Sequence, residues 1–336
     1  MKNIITLVIL LVIAPKVMCQ TYKIENRHLA RILQVTDGRL STQSIVNKQT
    51  KTTLRPISCA EFAIRFSLPD SKDSADCYVS AKDFTVVSVS PYSNPQCPKS
   101  KGYRFRLQGK QHGLSLNVCY ELAEDDSYCR KHLELTSDRD IRLKRIDVEA
   151  IAFEDAHQNY TIKKITAQGS AQWKPGLGQP LYTTQTGTFW GIEFPAASNT
   201  VDNHRMSCGY LWGKTLNASE TYTSYNSVIG VCSDPQFIDD AFYSYIDKIR
   251  KRPLRLQIQY NSWFDFYKKV SKEKFIHAVE KINNELVVRR GCQPLNAYII
   301  DDGWEDTGKQ ADWSEKVWTV SSKFWTDATS RLPERL

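Results

Sequence analysis

The chain changes its hydrophobic pattern near residue 250. Before that point, apolar and polar residues alternate in many short runs, as Tyr103, Phe105 and Leu107 do with the polar residues between them. Such runs, separated by Gly, Pro and Asn turns, are typical of half-buried strands in an antiparallel sandwich. The pattern therefore predicts a mainly β domain over residues 20–250, which is long enough to bury a substantial core.

After Pro253 the pattern becomes strand, helix and strand. The stretches Gln257–Asp265 and Asn296–Trp304 are short apolar-to-aromatic runs that end in carboxylates, amides and indoles. Between them, Ser271 is placed to cap a helix and Gly291 to follow its end. The apolar residues at helical spacing are Phe275, Val279, Ile282 and Leu286. This order predicts one βα unit followed by the strand of a second.

Polar residues collect where both predicted strands end. A parallel strand that is buried on both faces is continuously apolar, and in barrels of such strands the chemistry lies at the carboxyl ends. We therefore predict that a ligand contacts Trp263, Asp265, Asp301, Asp302 and Trp304. Two carboxylates accept hydrogen bonds from sugar hydroxyls, and an indole covers the apolar face of a sugar ring.

The same residues have a second interpretation. Asp302 and Gly303 form a strong two-residue hairpin signal, so the paired acids could belong to a solvated turn. The residues that follow, Trp304–Trp313, do not alternate as a returning strand would. Spacing alone leaves both interpretations open.

Three stretches carry a resemblance to a known family. Tyr260–Asp265, Ile300–Trp304 and Thr188–Pro195 resemble motifs of the α-galactosidase-like glycoside hydrolases of the melibiase superfamily, over about residues 25–320. The resemblance implies a mainly β N-terminal sandwich over residues 20–250. It implies that residues 251–336 are the start of an α/β (β/α)8 TIM-type barrel.

The resemblance also implies a function, which is retaining hydrolysis of terminal α-linked galactose or a related sugar. Asp301 and Asp302 match the family's sugar-hydroxyl acceptors, and Trp263 and Trp304 match its hydrophobic walls. Trp190 could line the same site, although a core position in the sandwich is the favoured interpretation. Neighbouring residues of a strand point to opposite sides, so Asp301 and Asp302 are not expected to be the catalytic pair.

A complete barrel needs about 250 residues, many more than follow Pro253. In the resembling enzymes the nucleophile follows the fourth barrel strand and the acid/base follows the sixth. We therefore expect both residues to lie beyond residue 336, the reading frame to be truncated or shifted near Phe324, and this chain alone to be inactive. The alternative is a non-catalytic, exported β-sandwich protein that binds carbohydrate, or a remnant.

The first 19 residues predict export. Lys2 is followed by the apolar run Ile4–Ala14 and by Val17-Met-Cys19, the pattern of a secretory signal that is cut before Gln20. Acylation of Cys19 is the less favoured alternative. No other run is long enough to span a bilayer. The mature protein is expected to be secreted or periplasmic.

The charge and composition of the chain limit the classes of partner and cofactor that it is expected to bind. The chain has 45 basic and 37 acidic residues, a net charge of +8, and the basic residues are scattered apart from Lys248–Arg252. This pattern does not favour nucleic acid as a partner. The histidines are dispersed and no Cys-x-x-Cys occurs, so we expect no metal, and carboxylate chemistry implies no cofactor. The oligomeric state stays open.

The cysteines left after signal cleavage are even in number, which in an oxidising compartment suggests disulfides. Cys119 falls on the polar face of an alternating run, and we predict that it is bonded to Cys129. Cys208 with Cys232 is a second candidate pair, and buried free thiols are the alternative.

Overall fold

A computed structural model describes residues 19–68, 76–153, 160–162, 178–183, 185–202, 204–253 and 255–305. The chain divides into two compact units, Met1–Arg250 and Lys251–Leu336. The predicted signal segment before Cys19 and the predicted frame change near Phe324 lie outside the described residues. Within these ranges, no helix has the length and apolar character to cross a membrane.

Antiparallel strands make up most of the first unit. In chain order they are β1 Cys19–Glu25, β2 Leu29–Thr36, β3 Arg39–Asn47, β4 Thr52–Leu54, β5 Ser58–Ser67, β6 Cys77–Ser80, β7 Phe84–Asn94, β8 Cys97–Gly109, β9 Leu114–Ala123, β10 Tyr128–Ser137, β11 Ile141–Ala152, β12 Tyr160–Ile162, β13 Leu181–Thr183, β14 Thr188–Ile192, β15 Ser198–Asp202, β16 Arg205–Leu211, β17 Thr215–Leu216, β18 Thr221–Thr223 and β19 Ser227–Val231.

These strands form three sheets among the described residues. The first has four strands in the order β1-β2-β3-β4. The nine-stranded sheet has the order β12-β13-β14-β19-β10-β9-β8-β7, with β18 beside β10. The six-stranded sheet has the order β15-β16-β11-β5-β6, with β17 beside β11.

One hydrophobic core joins the three sheets. It contains Leu33 of β2, Phe62 of β5 and Phe105 of β8, each of them 0 % exposed. The alternating residues of β9 contribute Leu116 and Val118 to the same cluster, because every second side chain of a strand points to the same face. The prediction of a mainly β, sandwich-like first part is confirmed.

Four charged side chains lie inside this core. Arg31, Glu61, Lys131 and Glu149 are each at most 1 % exposed. Arg31 lies 2.7 Å from each of the two glutamates, and Lys131 Nζ lies 2.7 Å from Glu149. Tyr120 donates a short hydrogen bond to Glu61. Each buried charge therefore has an opposite partner, as burial requires.

The electrostatic balance inside the core favours ionised Glu61. Burial alone would raise the pKa of this carboxyl, but Lys131 and Arg31 outweigh burial and hold the pKa far below its usual value. The backbone of Glu61 has a φ of 61°, a left-handed conformation that is unusual for a residue with a side chain. Ion pairs link all four charged side chains to one another in a network without exposed members. We call this network, which consists of Arg31, Glu61, Lys131 and Glu149, the buried charge cluster.

A helix completes the first unit. Helix α1, Ile238–Ile249, packs Tyr245 against Tyr128 and Phe189, in a second small hydrophobic cluster. The Tyr245 hydroxyl donates a 2.7 Å hydrogen bond to Glu193. This contact satisfies the polar end of a side chain that is otherwise buried.

The second unit has the predicted order of strand, helix and strand. Its elements are β20 Gln259–Asn261, the short helix α2 Trp263–Phe266, α3 Lys272–Ile282, a π-helical turn Asn283–Val288 and β21 Ala297–Ile299. Ser271 is the N-cap of α3, and its hydroxyl accepts from the Lys274 backbone N–H at 3.4 Å. Strands β20 and β21 are parallel. The capped helix and the strands around it are confirmed.

The predicted disulfides are wrong, since every cysteine among the described residues is free. Cys119 of β9 aligns with His132 of β10 and is not part of the main core. Cys129 belongs to that core and therefore lies on the opposite face of the sheet. Cys208 is in the six-stranded sheet, and Cys232 follows β19 of the nine-stranded sheet in the cluster under α1.

Candidate functional site

The site predicted from the sequence lies at the ends of two paired strands. In the parallel ladder, Tyr260 aligns with Tyr298 and Asn261 aligns with Ile299. Both strands therefore end at the same edge of the sheet, and the residues after Asn261 and Ile299 become neighbours. We call Asn261, Ser262, Lys268, Asp301 and Asp302 the strand-end cluster.

Asn261 and Asp301 connect the two strand ends directly. The Asn261 amide donates a 2.7 Å hydrogen bond to Asp301 Oδ2. The Asp301 backbone N–H donates to Ser262 Oγ at 2.9 Å, and Ser262 is 0 % exposed. Asp301 Oδ1 accepts from the Asp302 backbone N–H at 2.7 Å. These bonds fix the orientation of the Asp301 carboxylate.

Asp302 has different partners from Asp301. Its Oδ2 lies 3.1 Å from Lys268 Nζ, and its side chain is 24 % exposed. Hydrogen bonding with Glu305, followed by the contacts with Lys268, lowers the pKa of Asp302 below its usual value. Asp302 is therefore an ionised hydrogen-bond acceptor at neutral pH.

The turn after Asp302 requires a glycine. Gly303 has a φ of +105°, and a Cβ at this position would lie 2.6 Å from the Lys268 backbone. The Gly303 N–H donates to Glu305 Oε2 at 2.9 Å. A side chain here would thus separate the Asp302 turn from the segment that carries Lys268. The residues from 306 onward, where a returning strand would lie, are outside the described ranges.

The aromatic residues of the predicted site in the second unit keep part of their surface exposed. Trp263 begins helix α2 and meets Tyr267 edge to face at 5.3 Å between ring centroids. Trp263 and Trp304 are both half-buried. Asp265 is exposed and accepts a 2.7 Å hydrogen bond from the Tyr260 hydroxyl. Burial, together with this bond, raises the pKa of Tyr260.

Trp190 belongs to the first unit. It lies in β14, is 0 % exposed, and donates from Nε1 to Thr188 Oγ1 at 3.1 Å. Its ring centroid is 6.1 Å from that of Phe153. This is the core position that the sequence pattern favoured, and these contacts give Trp190 a structural role in the sandwich.

Sequence reasoning missed three members of the strand-end cluster, and the first is Asn261, which donates to Asp301. Ser262 anchors the Asp301 backbone, and Lys268 pairs with Asp302. Ser262 lies inside a motif that the sequence analysis had singled out, so its position next to Asn261 was an available signal. Lys268 lies in a 3-10 turn, Tyr267–Lys269, which has no periodic pattern. In the part of the chain that the structure describes, the side chains that could hold a metal lie in the first unit, where Cys119, His132 and Glu134 come together.

Comparison with known proteins gives similarity at the level of structure. No protein-family model and no curated protein matches the chain. The galactosidase domain of the α-galactosidase-sucrose kinase AgaSK aligns at 10 % identity with a TM-score of 0.60, over 90 % of this chain and 53 % of that chain. The α-galactosidase of Lactobacillus brevis aligns at 12 % identity with a TM-score of 0.59, over 91 % and 52 %.

A third solved structure aligns with this chain to a similar extent. The GH36 α-galactosidase AgaB of Geobacillus stearothermophilus aligns at 13 % identity with a TM-score of 0.56, over 93 % of this chain and 53 % of that chain. This chain therefore spans about half the length of the structures that it matches. At the level of the fold, the similarity confirms the resemblance to α-galactosidase-like enzymes, and it is consistent with their N-terminal domain.

Proposed function

We propose that this chain is the N-terminal part of an exported glycoside hydrolase that acts on terminal α-linked galactose or a related sugar. In this proposal residues 251–336 begin the (β/α)8 barrel, and the strand-end cluster binds hydroxyl groups of the sugar. The fold similarity to α-galactosidases supports the reaction class. The parallel pair β20 and β21 supports the barrel, because barrel strands are parallel and carry their ligands at the carboxyl ends.

The observation that carries the proposal is the hydrogen bond between Asn261 and Asp301. It joins the two strand ends and presents a carboxylate in a fixed orientation. An ionised carboxylate has about four lone-pair sites, so Asp301 can still accept from a sugar hydroxyl after bonding Asn261 and the Asp302 N–H. A fixed acceptor loses little conformational entropy when a ligand binds.

Asp302 complements Asp301. Its lowered pKa keeps it ionised, and Lys268 Nζ holds one of its oxygens. Hydrogen bonds to a charged acceptor contribute about 1.5–3 kcal/mol, more than neutral ones. Trp263 and Trp304 lie close by in sequence and offer apolar ring faces, which suit the C–H face of a sugar.

These residues orient the sugar in the proposal and do not cleave it. Retaining hydrolysis uses one carboxylate as nucleophile and a second as acid/base, about 5 Å apart with the sugar between them. Asp301 and Asp302 are consecutive residues that make contacts with neighbouring protein groups. The nucleophile and the acid/base are proposed to lie on later barrel strands, as the family resemblance implies.

The known complexes of similar proteins suggest ligands. Variants of AgaA of Geobacillus stearothermophilus have been solved with 1-deoxygalactonojirimycin, with raffinose and with stachyose. Galactose-type ligands are therefore the first probes for this chain. The second candidate function is carbohydrate binding without cleavage. It is favoured by the contacts of Asp301 with Asn261 and of Asp302 with Lys268, which position both carboxylates as hydrogen-bond acceptors.

The test is calorimetric titration of the purified protein with 1-deoxygalactonojirimycin and with galactose. Asp301→Asn removes the charge and is expected to weaken binding about tenfold or more, as the loss of a charged acceptor predicts. Glu285→Gln is the matched control, since Glu285 pairs with Arg289 on an exposed surface of the same unit. Equal affinities for the wild type and Asp301→Asn would refute the site. Turnover of an α-galactoside by a longer protein that carries the remaining barrel strands would favour the hydrolase, and binding without turnover by that longer protein would favour the second candidate.

A further inference from the structure

A cluster on the nine-stranded sheet has the composition of a metal site. Strands β9 and β10 pair in antiparallel register, with Cys119 directly opposite His132. Glu134 lies two residues further along β10, on the same face as His132. The potential ligand atoms of these three side chains all lie within 4.8 Å of one another.

The ligand types suit a thiophilic divalent ion. Zn²⁺ binds cysteine sulfur at about 2.3 Å, and histidine nitrogen and carboxylate oxygen at about 2.0–2.2 Å. Around a tetrahedral ion, such ligand atoms are separated by about 3.5 Å. His132 Nε2 and Glu134 Oε1 are already 3.6 Å apart. We propose that Cys119, His132 and Glu134 form a site for a divalent cation of the zinc class, separate from the strand-end cluster.

The surroundings provide access and a positioned carboxylate. Cys119 is 0 % exposed and His132 is 8 % exposed, whereas the Glu134 side chain is 21 % exposed. Glu134 lines an open cavity of about 380 Å³ on the surface of the sheet. The Asn117 amide donates to Glu134 Oε2 at 2.8 Å and so orients the carboxylate. Three protein ligands leave a fourth position for water or a small ligand from this cavity.

Arg104 lies beside two of the proposed ligands. Its Nε lies 3.4 Å from Cys119 Sγ, and its Nη2 lies 3.2 Å from Glu134 Oε1. Its guanidinium also lies over the Tyr92 ring at 5.0 Å. The Arg104 side chain is 40 % exposed and can turn toward solvent. In the proposal, a divalent ion takes the place of this guanidinium beside the same sulfur and oxygen atoms.

A metal ion that binds Cys119 must displace the proton of its thiol. Burial lowers the pKa of His132, so its imidazole is neutral and has a free lone pair at neutral pH. Burial raises the pKa of Cys119 to about 11, so its thiol is protonated at neutral pH. Binding releases the Cys119 proton to solvent as the sulfur–metal bond forms.

The experiment is titration of the reduced protein with Co²⁺, a spectroscopic substitute for Zn²⁺. We expect one equivalent to bind with a thiolate-to-cobalt charge-transfer band. Cys119→Ser should abolish the band, and Glu134→Gln should weaken Co²⁺ binding by about tenfold or more. The matched control is Cys292→Ser, which removes an exposed cysteine of the second unit and should keep the band. A wild-type protein without the band, or a Cys119→Ser variant that keeps it, would overturn the proposal.

Arg104→Ala provides a test that does not depend on removing a buried residue. Loss of the competing guanidinium should tighten Co²⁺ binding by about tenfold, on the scale that neighbours of metal ligands show. Circular dichroism of each variant verifies the fold. Unchanged or weaker Co²⁺ binding in folded Arg104→Ala would contradict the proposal, because the arginine would then not share the site with the ion.

Discussion

The buried charge cluster of the first unit and the strand-end cluster of the second use the same kinds of side chain for different ends. In the first, Glu61 and Glu149 are 0 % exposed and their charges are neutralised by Arg31 and Lys131. In the second, the Asp302 side chain is 24 % exposed. Carboxylates with no exposed surface can stabilise only the fold, whereas a partly exposed carboxylate can also accept hydrogen bonds from a ligand.

The largest expected effect comes from breaking the buried charge cluster. Glu149→Gln removes a charge that contacts both Arg31 and Lys131, and breaking a buried ion pair from one side costs about 3–5 kcal/mol. Urea unfolding should show this loss. Asp247→Asn is the control, because Asp247 pairs with Arg250 near the surface and should lose less than about 1 kcal/mol. Equal losses in both variants would show that the buried charges do not hold the sandwich together.

Acid should weaken the same network. Folding lowers the pKa of Glu61 from 4.5, so its ionised form stabilises the fold above that value. This contribution is lost as the pH falls toward the lower pKa of the folded state. The free energy of unfolding should therefore decrease below about pH 4.5, and Glu61→Gln should reduce the slope. A variant with an unchanged slope would contradict the assignment of the ionised form to Glu61.

In the second unit, Gly303→Ala should be the most damaging small substitution. The added Cβ would lie 2.6 Å from the Lys268 backbone, and the φ of +105° is itself unfavourable for alanine. The free energy of unfolding should therefore fall by about 3 kcal/mol. Gly291→Ala is the matched control, with a φ of +66° but nothing within 4 Å, and an expected loss of about 1 kcal/mol. Hydrogen exchange at the strand ends would show the difference, and equal protection in both variants would contradict it.

The smallest effect is expected at the start of α3. Ser271→Ala removes the hydroxyl that accepts from the Lys274 N–H, and loss of an N-cap costs about 1 kcal/mol. Thermal unfolding followed by circular dichroism measures this change. Ser271→Asp should retain the stability, because an aspartate side chain accepts the same bond. If the aspartate variant is as unstable as the alanine variant, the cap does not stabilise the helix.

Local patterns predicted the elements of the fold where one face is buried. Phe105 and Leu107 alternate with polar neighbours, and both are buried on one face of β8. The Ser271 cap marks the start of α3 because capping is decided within one turn of the helix. The strand-end residues Asp301 and Asp302 were placed by the same reasoning, since parallel strands end at a common edge.

Features that depend on register between strands could not be predicted. A bulge in β11 shifts its register against β16 between Asp147 and Glu149, and both residues are buried although they alternate in sequence with the apolar residues Ile146, Val148 and Ala150. Cys119 and His132 are 13 positions apart in sequence and become neighbours only through the pairing of β9 with β10. The dispersed histidines therefore gave no signal of the Cys119 cluster.

The most direct test of the comparison measures stability and ligand affinity together in Asp302→Asn. We expect a loss of no more than about 1 kcal/mol in the free energy of unfolding, because the partner Lys268 is 64 % exposed. In the same variant, affinity for 1-deoxygalactonojirimycin should fall about tenfold or more. Unchanged affinity, or a loss of stability as large as that of Glu149→Gln, would contradict the claim that the strand-end cluster serves a ligand.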